Sequence, residues 1–321
     1  RDGDDKLDIE LMDYDFGLIR PLDTAPFART SNPDVDFVEL YTAEELNSLS
    51  SKYTLHIEYS SDQPQEIFTL GFDIIKGSDI VFVDGVYDAE ASDDLSLEGV
   101  TIERLAAASS DLHWATSVYG VLEARGQTPV ARPLAAVNTA FATDGVLIHV
   151  TGKPNKPINL VYHHKSETSD AILHNCIKMD AGTEVTLLEN GPAAARFNKV
   201  LEVEIADGAA FHHIRAQGRD HERRAATHIF SRLGAESEFH SFTMTVNGQL
   251  TRNDCVIELT GDDAIANVAG ACVGDGDFHH DDTVFITHDA VNCRSRQVFK
   301  KVLRNGATGV FQGKILVKQS A

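Results

Sequence analysis

The sequence predicts a mainly β chain whose larger part is a stacked β-solenoid, with a smaller mixed α/β region on its N-terminal side. Three observations carry this expectation. Glycine returns at Gly182, Gly208, Gly234 and Gly261, at intervals of 26, 26 and 27 residues. Short runs after these glycines hold apolar β-branched or aromatic residues in alternation, as in Val185/Leu187, Phe239 to Val246 and Val256/Ile257/Leu259. No long run at helical spacing interrupts them. A strand-only unit of this length cannot bury its own apolar face, so it must stack on its neighbours, and glycine suits the corner because it accepts positive φ. The alternative is an antiparallel sandwich in which the glycines mark hairpins.

Along the chain, residues 1–140 read as a mixed α/β region and residues 141–321 as the solenoid. The first part has acidic turns such as Ser31-Asn32-Pro33-Asp34 and one helix expected at 42–49, where Thr42 and Glu45 fit a capping box. The run Asp79 to Tyr87 is a strand entering an Asp84-Gly85 turn, hence a hairpin. Segments 102–119 and 128–141 suit short helices, the second with Pro129 and Pro133 near its start. After Asp144-Gly145 the pattern turns to strands, and the solenoid is expected to begin near Phe141.

Composition excludes several classes. The net charge is −21, from 28 basic and 49 acidic residues, which disfavours a nucleic-acid backbone as partner. Residues 1–10 are charged and lack a secretory apolar stretch, and no later run is long enough to span a bilayer, so a cytoplasmic protein without membrane contact is expected. The four cysteines, Cys176, Cys255, Cys272 and Cys293, lie at least 17 residues apart, which rules out a local ligand pair and suits buried thiols in a reducing compartment. No Walker A sequence is present, and Gly274-x-Gly276 lacks the third glycine of a dinucleotide site.

Eleven of the 14 histidines fall between His163 and His288. Three adjacent pairs occur, His163-His164, His212-His213 and His279-His280, and neighbours on a strand face opposite sides, so only one of each pair can join a given cluster. Stacked turns could align imidazoles in a column, and neutral imidazole is a metal ligand. The candidate metal residues are His280, His288 and Cys293, with Asp281, Asp282 and Asp289 nearby; the bland reading is a polar rung with a buried cysteine. Ser295, Gln297 and Lys300 form no nucleophile and base set, since no histidine partner for Ser295 is evident.

The runs Asp282 to His288, Cys293 to Leu303 and Gly309 to Val317, with Val81 to Tyr87 upstream, resemble the SufB/SufD family of iron–sulfur cluster assembly proteins. The Ser295-x-Gln297-x-x-Lys300 pattern and the Val310-Phe311-x-Gly313-Lys314-Ile315 ending are closer to SufD. The resemblance implies a right-handed parallel β-helix. It also implies a non-catalytic scaffold that pairs with a SufB-like subunit and the SufC ATPase, through exposed edges of the helix, with a homodimer possible without them. Any iron–sulfur cluster would be transient, at a subunit interface, with none bound tightly. In that family the core continues into further rungs and a helical ATPase-docking region, which has no counterpart before Ala321, so the sequence is expected to be part of a longer protein. Two other functions compete: a polysaccharide-active β-helix enzyme using Asp262-Asp263 or Asp281-Asp282, and a stand-alone histidine-rich metal-binding solenoid.

Overall fold

The computed structural model describes residues 77–191, 194–218, 223–319 and 321, together with the backbone of five strands within residues 1–76. Contacts divide the chain into two units, Arg1–Lys76 and Gly77–Ala321. In the first, β1 (Tyr14–Asp15) and β2 (Leu18–Ile19) form an antiparallel pair, and β3 (Val35–Val38), β4 (Lys52–Tyr59) and β5 (Ile67–Asp73) form an antiparallel sheet. The helix expected at 42–49 lies outside the described residues.

The second unit is a parallel solenoid of about six turns. Its strands are β6 (Ser78–Val83), β7 (Val86–Asp88), β8 (Val100–Arg104), β9 (Val146–Val150), β10 (Ile158–His163), β11 (Asp170–Met179), β12 (Glu184–Asn190), β13 (Arg196–Ile205) and β14 (Ala210–Gly218). They continue as β15 (Arg224–Leu233), β16 (Glu238–Val246), β17 (Leu250–Leu259), β18 (Ile265–Asp275), β19 (His279–His288), β20 (Arg294–Arg304) and β21 (Thr308–Val317). Strand β6 and the even-numbered strands from β10 to β20 stack in one sheet, and the odd-numbered strands from β9 to β21 in the other. One turn of the coil therefore contributes one strand to each sheet, and parallel pairing puts the same position of successive turns one above another. The parallel pairing excludes the antiparallel sandwich.

The sheets begin earlier than the expected boundary at 140/141. Strand β6 pairs in parallel with β10, while β7 and β8 close the two sheets antiparallel to β6 and β9. Residues 102–104, expected within a helix, belong to β8, where Val100 and Ile102 alternate inward with Thr101 facing out. The Asp84-Gly85 hairpin is as expected, with both turn residues at positive φ.

Between β8 and β9 the chain forms a helical layer: Leu105–Ala108, a 3-10 turn His113–Ser117, Val121–Gly126 and Pro133–Phe141, which opens on proline at a position needing no N–H. It packs on the outer face of the odd-numbered sheet. Leu122, Val118 and Ala135 meet Leu147, Cys176, Val200 and Phe230 there, a core separate from the one inside the coil. Inside, Leu160, Leu187, Leu201, Phe211, Phe239, Ile257 and Ile286 are all at most 1% exposed, and each such side chain contributes on the order of 2 kcal/mol.

The recurring glycines stand at the corners for two different reasons. Gly182 and Gly208 take φ of 69° and 66°, where a side chain strains the backbone. In later turns that left-handed position passes to Glu236, Asp263 and Asn292. Gly234 and Gly261 are instead required by close approach, since a Cβ on Gly261 would stand 2.0 Å from Ala235 N and 2.2 Å from Gly234 C in the corner stacked beneath it.

Candidate functional site: a polar network in the coil and a cluster on its outer face

Inward positions of a solenoid are normally apolar, but here a continuous polar network fills one side of the interior. Lys199, Thr227, Asn253 and Asp282 are register partners in successive turns, and Glu189 pairs with Arg215 on the opposite sheet. Lys199 Nζ donates to Glu189 Oε2, with both side chains at most 1% exposed. Tyr162 OH donates to Glu189 Oε1 at 3.1 Å, and His213 Nε2 lies 3.0 Å from Oε2. Arg215 donates to Thr227 Oγ1 at 2.8 Å and to Asn253 Oδ1 at 3.1 Å. Asn253 Nδ2 donates to Asp282 Oδ1 at 3.0 Å, and Lys301 Nζ closes the chain on Asp282 Oδ2 at 2.8 Å.

Burial of unlike charges together sets the electrostatics. Desolvation opposes ionisation of Glu189, but Lys199, His213 and Arg215 around it hold its carboxyl far below the usual range. Desolvation brings Lys199 down to about 8 despite Glu189, and it lowers Arg215 and His213 as well. His213 Nδ1 lies 2.9 Å from Ser241 Oγ, so Ser241, His213 and Glu189 stand in hydroxyl, imidazole and carboxylate order. Ser241 nevertheless faces a cavity of about 20 Å³, lined also by Arg215, Cys255 and Asp282. That volume holds one water and no organic substrate.

The three residues singled out as metal candidates are not brought together. His280 and His288 sit eight residues apart on β19, roughly 26 Å along the strand, beyond the span of one ion. His280 is in the network: its Nδ1 accepts from Lys301 Nζ at 2.8 Å, and burial lowers it to about 4. His288 Nε2 lies 2.9 Å from Ser295 Oγ across the next corner, so Ser295 does have a histidine partner, unlike the sequence reading. Cys293 Sγ faces Gly261 O at 3.3 Å. The carboxylate pairs are divided too. Asp281 faces out to Arg252 and Asp282 faces in to Lys301, while Asp262 accepts from Val291 N–H. The adjacent histidines split as alternation requires, with His213 buried and His212 stacked outside on His240 at 5.2 Å.

Among the described residues, one group places three metal-ligating atoms within 4.8 Å of one another: His174, Cys176 and Glu202, all buried on the outer face of the odd-numbered sheet. Cys176 and Glu202 are register partners on β11 and β13, and His174 precedes Cys176 by two residues on the same face. His174 Nε2 lies 2.7 Å from Glu202 Oε1, its Nδ1 lies 3.1 Å from Asn138 Oδ1, and the Tyr119 ring stacks on it at 4.1 Å. Glu202 also accepts the backbone N–H groups of Gly120 and Glu123, at the start of the Val121–Gly126 helix. Burial, with Glu202 beside it, pushes the Cys176 thiol well up. Sequence reading missed this cluster, although Cys176 and Glu202 are separated by 26 residues, the same interval as the glycines.

Among the described residues of the second unit, the outer face of the even-numbered sheet carries no helical layer. Leu188, Ile214, Phe242, Ala269 and Val298 are register partners forming an apolar column, with Ile214 48% and Phe242 41% exposed. Val273 and Val302 extend it. Exposed contiguous apolar surface of this kind marks interaction sites.

Residues 162–321 match the protein family described as SUF system FeS cluster assembly, SufBD core domain. The match begins within β10 and covers the regular turns of the coil, and it supports placement in the SufB/SufD family with a role in iron–sulfur cluster assembly. No curated protein matches the chain. No helix among the described residues is long and apolar enough to cross a membrane.

Proposed function

Taking the SufBD core domain over residues 162–321 as the premise, we propose that this chain is a non-catalytic scaffold subunit of a SUF iron–sulfur assembly complex. It is of SufD type, pairs in the cytoplasm with a SufB-like subunit, and works beside the SufC ATPase. The cluster is the cargo of that complex. The observation that carries this reading is the coincidence of the family match with the coil itself. Two features support it. The interior carboxylates and cations neutralise one another in hydrogen bonds, which is the pattern of a structural network, not of a substrate groove. The apolar column from Leu188 to Val298 supplies a flat surface for a protein partner.

The test is an anaerobic pull-down with this chain as bait and SufB-like and SufC-like proteins co-expressed. Capture of the SufB-like subunit, reduced by Phe242→Asp with unchanged melting temperature, is the expected result. A folded bait that captures neither protein at low salt overturns the proposal.

A further inference from the structure

The scaffold role makes no use of the cluster of His174, Cys176 and Glu202 beyond the two backbone N–H groups of the helical layer that Glu202 accepts. The proton positions follow from the donors around it. Asn138 Nδ2 donates to the carbonyls of Leu173 and Asn198, which leaves Asn138 Oδ1 as an acceptor and fixes the His174 Nδ1 proton toward it. His174 Nε2 therefore faces Glu202 Oε1 as the ligand nitrogen, with one proton between the two atoms. Metal-binding imidazoles are held in this way, with the far N–H donated to a neighbouring oxygen that sets the tautomer and the ring orientation.

We propose that His174 Nε2, Cys176 Sγ and a Glu202 carboxylate oxygen form a binding site for a zinc-class divalent cation. The cation takes the place of the proton between His174 and Glu202 and displaces the proton of Cys176, so two protons leave to solvent as one M²⁺ enters. With one thiolate and one carboxylate the site is then electrically neutral, which suits its burial. A mixed nitrogen, sulfur and oxygen set is of the kind zinc accepts, with ligand atoms roughly 3.5 Å apart around the ion. The three atoms already lie within 4.8 Å, on two hydrogen-bonded strands that fix their spacing. Gly120 and Glu123 N–H groups orient the carboxylate, so the helical layer would act as the outer shell of the site.

The experiment uses untagged full chain refolded from denaturant in metal-free buffer containing Co²⁺, so that the buried location presents no barrier to loading. Wild-type protein is expected to take up one Co²⁺ per chain with a thiolate-to-cobalt charge-transfer band that Zn²⁺ bleaches. Cys176→Ser removes the band, while Glu202→Gln, which keeps one acceptor oxygen for the backbone N–H groups but loses the anionic ligand, weakens uptake. Asn138→Ala keeps the band but weakens affinity by about tenfold to a hundredfold. Circular dichroism confirms folding of each variant. Absence of the band in folded wild type, or a band that survives Cys176→Ser and disappears in Cys293→Ser, overturns the proposal. Because the readout is metal uptake by the chain alone, it is independent of any assembly partner.

Discussion

Replacing Gly208 and Gly261 separately by alanine tests whether the corners are limited by backbone conformation or by stacking. At Gly208 the backbone is left-handed, with φ of 66°, but an added Cβ finds nothing closer than 3.9 Å. The conformational penalty of about 1–2 kcal/mol is partly offset by about 0.4–1 kcal/mol from a less flexible unfolded chain, which leaves about 1 kcal/mol. Gly261 does not need positive φ, so conformation alone predicts that alanine there is harmless. Stacking predicts the opposite. The new Cβ would stand 2.0 Å from Ala235 N and 2.2 Å from Gly234 C, and both obstacles are backbone that cannot rotate away. Such overpacking costs about 3 kcal/mol, at the upper end of its usual range. For a unit of this size that is a fall of about 6–12 °C in melting temperature, against about 2–4 °C for Gly208→Ala. Thermal denaturation followed by far-ultraviolet circular dichroism measures both. A larger loss at Gly208 than at Gly261 would refute the stacking argument.

The interior network gives the next expectation: Lys199→Met removes the cation hydrogen-bonded to buried Glu189 and destabilises by about 3–5 kcal/mol, whereas Lys199→Met with Glu189→Leu recovers much of that in urea titrations. Burial lowers His228 and His280 to about 4 from an unfolded value near 6.5, so the unfolded state binds more protons between those limits. Their contribution, about 3 kcal/mol each, is present above pH 6.5 and lost as pH falls toward 4; an unchanged urea midpoint between pH 7 and pH 4.5 contradicts it. Burial raises Cys255 to about 12 and Cys272 to about 11, and Cys176 also strongly, so alkylation of native protein at pH 8 should modify the half-buried Cys293 first and all four only after unfolding, as read by peptide mass mapping.

Much of the coil was legible because alternation and period are local properties. The spacing of Gly182, Gly208, Gly234 and Gly261 announced the turns, and alternation correctly divided His212 from His213. Register was the missing quantity. Lys199 and Glu189 belong to different sheets, and only the fold of the corner between them puts them in contact. His280, His288 and Cys293 looked close because they are near in sequence, yet a strand spreads eight residues over most of the width of the coil. The cluster at His174, Cys176 and Glu202 could have been found by adding one period to Cys176. Segment 102–119 misled because its first residues, from the inward-facing Ile102 to Arg104, finish strand β8 and run directly into the Leu105–Ala108 helix.

The polar ladder from Tyr162 to Lys301 has a consequence for how such a chain can change in length. A solenoid held only by apolar stacking is modular, and a whole turn can be removed or duplicated with each remaining turn meeting an equivalent neighbour. Here each turn carries a different member of the ladder: Glu189 needs Lys199, Arg215 needs Asn253 in the next turn, and Asn253 needs Asp282. Excising one turn would preserve the backbone spacing while placing ions opposite groups that cannot answer them. The interior thus numbers the turns, and the copy number of this repeat is written into its charges.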